Sequence, residues 1–447
     1  MTAVAQARWS TSAPRADLVT RTADAYASAT RFTVAVAVVV VGLDLDFAYG
    51  ASATLPLAIV LVPLWLPALR RHPLATLITG LAALSVVSGL ALGELSSVDH
   101  EINQAGRLQA MGLLASGIAA FGLLLWARSL MPLHRIVALY GAGALTSALV
   151  NGQLSWKFNL AVPTAFLVLG LLGRRGTGAL PAIAVLAIGV FAVLDDGRSL
   201  FATCLLAATL TIWQLRPRSQ EREQSRWFPM MLIVGLCGTI YLFTTALATG
   251  GVLGETLKDR STAQIDTSGS LIAGGRPEWA ATRELFKLNP SGYGIGVVPN
   301  WADRMAGKTG LASINVDAGG YADNYMFGGQ FELHSVAAGL WAGYGWVGVA
   351  LAATIALALV RSLSFALAAR QAPTSMIFAC TLALWYILFG PMHSNWLDVC
   401  AALGIALAAR RVTGSSRTEH AGHEDEGTSI RAAPIDACGR RGSGGGD

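Results

Sequence analysis

The sequence predicts an all-α polytopic membrane protein of about 12 transmembrane helices with one large external loop. Three observations carry that expectation. The 447-residue chain is 53% hydrophobic and only 13% charged, with a mean hydropathy of +0.53, far from the balance of a soluble globular domain. Apolar runs long enough to cross a hydrocarbon core of about 30 Å recur along the whole length. Lys and Arg fall in small clusters between those runs, a pattern that orients helices and excludes a nucleic-acid partner despite the net charge of +5.

Taken in order, residues 1–30 read as a cytoplasmic tail. The first helix, 31–47, contains an apolar run at 32–43 that has the length of a signal-peptide core, with Ala51-Ser52-Ala53 beyond it as a cleavage site. About thirty residues precede it, and Asp44 and Asp46 interrupt it, so an uncleaved helix is expected. Further helices are placed near 53–69, 73–93, 108–127, 134–150, 158–173, 179–195, 199–215 and 228–249, which makes 31–249 the home of helices 1 to 9. Residues 334–411 hold the last three, near 334–360, 374–391 and 396–411. The Ser- and Gly-rich segment 412–447 has too little apolar content to fold and reads as a disordered cytoplasmic tail.

The charges between the helices test the count. Arg70-Arg71, Arg128 with Arg135, Arg174-Arg175, the cluster at 216–226, Arg361 with Arg370, and Arg410-Arg411 all fall on the side of the N-terminal tail. Roughly 22 of the 32 Lys and Arg residues lie there, which makes that side and both termini cytoplasmic in a plasma (inner) membrane. Acidic Asp44, Asp46, Glu94, Asp99, Glu101, Asp195 and Asp196 fall on the opposite, external side. Cys204, Cys237, Cys380, Cys400 and Cys438 are scattered without a CxxC spacing and imply neither disulfide nor zinc.

The external stretch 250–333 is unlike the short loops elsewhere. It carries Trp279, Phe286, Tyr293, Trp301, Tyr321, Tyr325 and Phe327 among its glycines, which argues for a folded cap. Within it, Gly274-Gly275 breaks the chain and Pro277 suits the start of a helix, so an interfacial helix is expected over 277–288.

External arginines are the informative residues, because the orientation rule depletes them outside and the bilayer penalises them at depth. Arg198 lies in the tight turn Asp195-Asp196-Gly197-Arg198-Ser199, where both a local ion pair and anion binding are open. Arg276 precedes the helix at 277–288, whose free N–H groups favour an anion. At 100° per residue, Arg283 and Lys287 share its face, with Trp279 and Phe286 beside them, so the helix reads as basic toward phosphate and aromatic toward lipid. Simple snorkelling over headgroups is the bland alternative. His334 sits at the mouth of the next helix, either as a polar end residue or as a general base. Asp44-Leu45-Asp46 is an external pair that can hold a divalent cation or serve structure alone. Gly292-Tyr293-Gly294-Ile295-Gly296 has no strand before it and reads as a turn, not a nucleotide loop. His393, Ser394 and Asn395 receive no role.

Together, Gly275-Arg276-Pro277-Glu278-Trp279, Asn289-Pro290-Ser291-Gly292-Tyr293-Gly294-Ile295-Gly296, His334-Ser335 and Trp341-Ala342-Gly343-Tyr344-Gly345-Trp346-Val347-Gly348 resemble the signature of the O-antigen ligase and O-antigen polymerase family. The Gly197-Arg198-Ser199 turn is similar to a second motif of that family, and the likeness is strongest over 274–348. Ser335 stands where Asn commonly follows the His.

The resemblance implies the type C glycosyltransferase architecture. It also implies a polyprenyl-diphosphate-linked glycan as donor, a glycan or glycolipid hydroxyl as acceptor, and metal-independent transfer without a cofactor. Carried over by motif, Arg198 and Arg276 would bind the diphosphate and His334 would be the catalytic base or orient the acceptor; Arg283, which shares the helical face of Arg276, is expected as a further substrate-binding residue. Two rivals stand beside it: a metal-dependent enzyme using a polyprenyl-monophosphate sugar through Asp44 or Asp46, and a secondary transporter, for which no internal repeat is visible.

Overall fold

The computed structural model describes residues 13–175, 178–216, 228–251, 254–316 and 319–407. The tail expected at 412–447 and the basic cluster at 217–226 lie outside the described residues.

Every apolar window of the sequence holds a helix. The first part of the chain contains α1 (Ala13–Leu43), α2 (Thr54–Val60), α3 (Val62–Arg70), α4 (Pro73–Ser96), α5 (Gln104–Leu130), α6 (Leu133–Val150), α7 (Ala161–Leu172), α8 (Ala179–Leu194), α9 (Arg198–Gln214) and α10 (Phe228–Thr249). The long segment that follows contains α11 (Glu255–Ser268), α12 (Leu271–Gly275), α13 (Glu278–Leu288) and α14 (Trp301–Ala312); the chain then returns through α15 (Val336–Ala368), α16 (Thr374–Phe389) and α17 (Met392–Ala406). The only strands among the described residues are the two of a small hairpin, Asp46–Ala48 with Ala51–Ser52.

Six of these helices are long and apolar enough to cross a membrane, so the chain is an all-α protein of membrane type. The surface agrees with that. Leu77, Leu84 and Val87 of α4, and Met231, Val234 and Leu242 of α10, are each more than half exposed, a distribution that water would penalise and hydrocarbon accepts. Helix α5 is central, with 67% of its apolar window buried, whereas α10 is peripheral at 11%. Close crossings rely on small residues. A Cβ on Gly42 would lie 2.2 Å from the Tyr140 carbonyl oxygen, and one on Gly143 would lie 2.4 Å from that of Val39, so α1 and α6 touch backbone to backbone.

Two expectations are corrected. The first helix begins at Ala13, inside the stretch 1–30 read as a tail. The window 53–69 is two helices that meet at Leu61, because Pro63 has no N–H to continue the first of them and suits the opening turn of the second.

The stretch 250–333 is folded, as its aromatic content predicts. A separate small core joins Ala281 and Leu285 of α13, Leu311 of α14, Tyr293, Met326, Phe327 and Leu333 to Trp341 of α15. Helix α14 starts with a reciprocal cap between Asn300 and Asp303, and Asp303 also bonds His100 at 2.9 Å.

The glycine turn anchors this segment between α4 and α15. Helix α15 breaks at Gly345 (φ 65°), and a broken helix leaves carbonyls without intrahelical partners. Tyr293 and Gly294 both donate their N–H to the Ala342 oxygen, at 2.8 and 3.0 Å, while the Ile295 N–H reaches the Gly89 oxygen at 3.1 Å. Gly294 has φ +102°, and a Cβ there would lie 2.1 Å from the Gly93 nitrogen. Gly294→Ala is therefore expected to lose about 1–3 kcal/mol of stability, read as a lower melting temperature in detergent. Gly80→Ala, where an added Cβ meets nothing within 4 Å, is the control and should leave the melting temperature unchanged or higher.

Candidate functional site: a cationic end to an apolar cavity

The turn after α8 positions Arg198. Asp196 takes a left-handed backbone (φ 58°), and the Gly197 N–H closes the turn on the Ala192 oxygen at 2.7 Å. Arg198 then opens α9 with its guanidinium directed toward α11. Nη1 donates to Ser261 Oγ at 2.9 Å and to Gln264 Oε1 at 3.1 Å, and Nε lies 3.4 Å from Asp196 Oδ1. The local ion pair weighed from the sequence is thus present. Its carboxylate is shared, because Lys157 Nζ stands 3.5 Å from Asp196 Oδ2 and Arg260 of α11 pairs with the same oxygen.

Arg276 approaches from the other side. It terminates α12 in a non-helical conformation (φ −141°, ψ 61°), so helical extrapolation from α13 does not place its side chain. No hydrogen bond or ion pair within the described residues engages its guanidinium. Its charge is felt at both Arg198 and His334.

Lys157, Arg198, Arg260 and Arg276 line one end of a cavity of about 560 Å³, with Asp196 as the acidic residue among them. Four cations against one carboxylate leave a charge of +3 on that lining. The rest is largely apolar. Ala202 and Leu206 of α9, Ile233 and Ile240 of α10, and Leu384 and Leu388 of α16 form its walls. From Ile233 to Thr244 the lining follows α10 for about 16 Å at 1.5 Å per residue. A cavity charged at one end and greasy along its length suits an anionic headgroup carrying a hydrocarbon chain.

His334 lies outside that lining but within electrostatic range of Arg276. It adopts φ +46°, a left-handed conformation in which His is enriched among non-glycine residues. Ser335 follows as the cap of α15, accepting from the Ala338 N–H at 3.2 Å and donating to the Ile387 oxygen at 2.9 Å. Ser therefore does there what a short amide would do.

The imidazole is largely buried. Nε2 meets the Tyr325 hydroxyl at 2.7 Å, and Nδ1 faces Glu278 Oε1 at 3.7 Å. Burial, first of all, and the positive charge of Arg276 hold His334 below the usual histidine range, against the opposing pull of Glu278. Tyr321 donates to Glu278 Oε1 and stacks on Tyr325 with ring centroids 5.2 Å apart. Burial and the Glu278 carboxylate raise the Tyr321 phenol far above its usual value, so it stays a donor.

Arg283 is not where the helical face predicts. Its Nε and Nη2 donate to Glu284 Oε1 at 3.1 and 3.0 Å, in an exposed pair shared with Lys287. It does not line the cavity. The same helix turns its aromatic stripe to the bundle: Trp279 Nε1 donates to the Leu388 oxygen at 2.8 Å, and Phe286 packs on Trp341 and Trp346. Neither Asp44 nor Asp46 lines the cavity, and no group of three metal-ligating side chains occurs among the described residues. His393 pairs with Glu332 at 3.0 Å.

Lys157, Arg260, Glu278, Tyr321 and Tyr325 belong to the arrangement but had no site role from the sequence, where Tyr321 and Tyr325 count only as cap aromatics and Glu278 only as part of the motif at Gly275–Trp279. Lys157 and Arg260 fall in segments expected from the sequence to be external, where cations are expected to be sparse, so the signal that marks Arg198 and Arg276 marks them too. The i,i+4 spacing of Tyr321 and Tyr325 is visible but common. No signal marks Glu278 as a buried carboxylate. No protein-family model, curated protein or solved structure matches the chain.

Proposed function

We propose that this chain is a metal-independent membrane glycosyltransferase of the O-antigen ligase or polymerase type. It crosses the plasma membrane about twelve times with both termini in the cytoplasm. It moves a glycan from polyprenyl diphosphate to a hydroxyl of a glycan or glycolipid at the external face. One observation carries the reading: an apolar cavity ends in four cations, and one of them, Arg276, which makes no hydrogen bond or ion pair among the described residues, also acts on His334.

In this mechanism the hydrocarbon chain lies along α9, α10 and α16, and the diphosphate sits between Arg198 and Arg276. The acceptor oxygen attacks the anomeric carbon and its proton passes to His334 Nε2. The bond from that carbon to the diphosphate oxygen breaks, and the negative charge left on polyprenyl diphosphate meets the guanidinium groups. Burial keeps the imidazole in the neutral form that accepts a proton, and the lowered basicity trades some driving force for that availability.

Lipid-linked intermediates in cells lacking the chain test this. Unpolymerised single units on lipid would indicate a polymerase, and finished chains stranded on lipid a ligase. A normal glycan profile would remove the reading. A second test separates tail from head. An Ala202→Trp chain fills the cavity wall and is expected to bind long-chain polyprenyl diphosphate about tenfold or more weaker, since each excluded methylene is worth about 0.8 kcal/mol. Affinity for inorganic diphosphate should be unchanged.

A further inference from the structure

His334 and Glu278 share an unusual environment. Glu278 is a carboxylate only 3% exposed in the first turn of α13. Among the described residues its Oε2 has no hydrogen-bond partner, and neither has Nδ1 of His334. The two groups face each other with 3.7 Å between Nδ1 and Oε1, a few tenths of an ångström beyond hydrogen-bond range. Tyr321 donates to the same Oε1 of the carboxylate, and the Tyr325 hydroxyl holds the opposite ring nitrogen, Nε2, at 2.7 Å. An ionised carboxylate accepts and cannot donate, so the imidazole nitrogen facing it is the one that carries the proton.

We propose that Glu278 is a positioning residue that keeps the proton of His334 on Nδ1, leaving Nε2 unprotonated toward the hydroxyl that Tyr325 now supplies. An acceptor hydroxyl that takes the place of the Tyr325 hydroxyl then meets a lone pair and not an N–H. This rests on the transfer reaction proposed above for its consequence, but not for its geometry. The charged and titratable groups around the imidazole are Glu278 and Arg276 from the α13 side, Tyr321 and Tyr325 from the preceding turn, Glu332 from its own loop and His393 from α17. Of these, Glu278 is the carboxylate on the Nδ1 side.

The test uses the full chain in detergent and needs no substrate. The pH dependence of His334 modification by diethyl pyrocarbonate, which attacks neutral imidazole, is followed by peptide mass spectrometry in the parent, Glu278→Gln and Glu278→Asp. Loss of the carboxylate should move the His334 midpoint down by about one unit, and Glu278→Asp should restore most of it. A midpoint that stays put in a folded Glu278→Gln chain overturns the proposal; if that chain does not fold, Glu278→Asp, whose carboxylate stands one methylene further from Nδ1, decides it, a midpoint moved partway down supporting the proposal and one that stays put overturning it. In a transfer assay Glu278→Gln should lose about ten- to a hundredfold, part of the 10²–10⁴ that a general base contributes. Full activity in Glu278→Gln alongside an inactive His334→Asn would sink the positioning role and leave the transferase reading intact. Full activity in both would sink the transferase reading.

Discussion

A His334→Asn chain inserts, folds and binds polyprenyl diphosphate as the parent does, and its glycan transfer falls by about 10²–10⁴-fold. Asparagine is the informative replacement because residue 334 has φ +46°. Alanine in that conformation costs about 1–2 kcal/mol on steric grounds alone, whereas Asn tolerates it. A loss in His334→Ala would therefore mix strain with chemistry, and a loss in His334→Asn would not. The pH profile adds a second signature. Since burial and Arg276 hold His334 below the ordinary histidine range, the parent's rate should rise with pH through a midpoint below about 6.5 and then level off. The residual rate of His334→Asn should lack that acid limb. Unchanged transfer in the variant, measured with lipid-linked glycan in proteoliposomes, would remove the base from the mechanism.

Arg276→Ala should lose about 10²–10³-fold in transfer, the range seen when one preorganised donor to a developing oxyanion is removed. It should do so with little change in stability, because the guanidinium makes no hydrogen bond or ion pair within the described residues. Arg198 is a poorer probe for the same reason inverted. It is tied to Ser261, Gln264 and Asp196, so its removal also loosens α9 from α11. Arg276→Lys keeps the charge but not the planar fork, and an activity between parent and alanine variant is expected. Alanine and lysine variants with equal activity would mean that shape, not charge, matters at this position.

Much of the architecture was legible in the sequence because hydropathy and helix length are properties of contiguous residues. The apolar windows all became helices, and even the break at Leu61 has its cause printed at Pro63. The start of α1 was missed because polar residues 13–30 extend the helix beyond the apolar run, and hydropathy sees only the run. The folded segment between α10 and α15 was legible as ordered from its aromatics, but not in its details.

The site was legible in part for a related reason. Arg198 and Arg276 stand out as cations where cations are depleted, and the structure brings both to one cavity end. Arg283 was placed by assuming that the helix of α13 continues back through Arg276. Pro277 caps the helix there, Arg276 is not helical, and the periodicity argument ends with it. Glu278 became visible only when a residue more than forty positions away met it at His334, a contact that no local pattern encodes.

The central claim is that one pocket holds the diphosphate between Arg198 and Arg276 with the hydrocarbon chain along α9, α10 and α16. Cryo-electron microscopy of the full chain in nanodiscs loaded with a long-chain polyprenyl diphosphate tests it most directly. Two phosphate densities within hydrogen-bond reach of both guanidinium groups, and a tail beside Ala202 and Leu206, are the expected result. A diphosphate bound elsewhere on the bundle, with that cavity empty, would contradict the account.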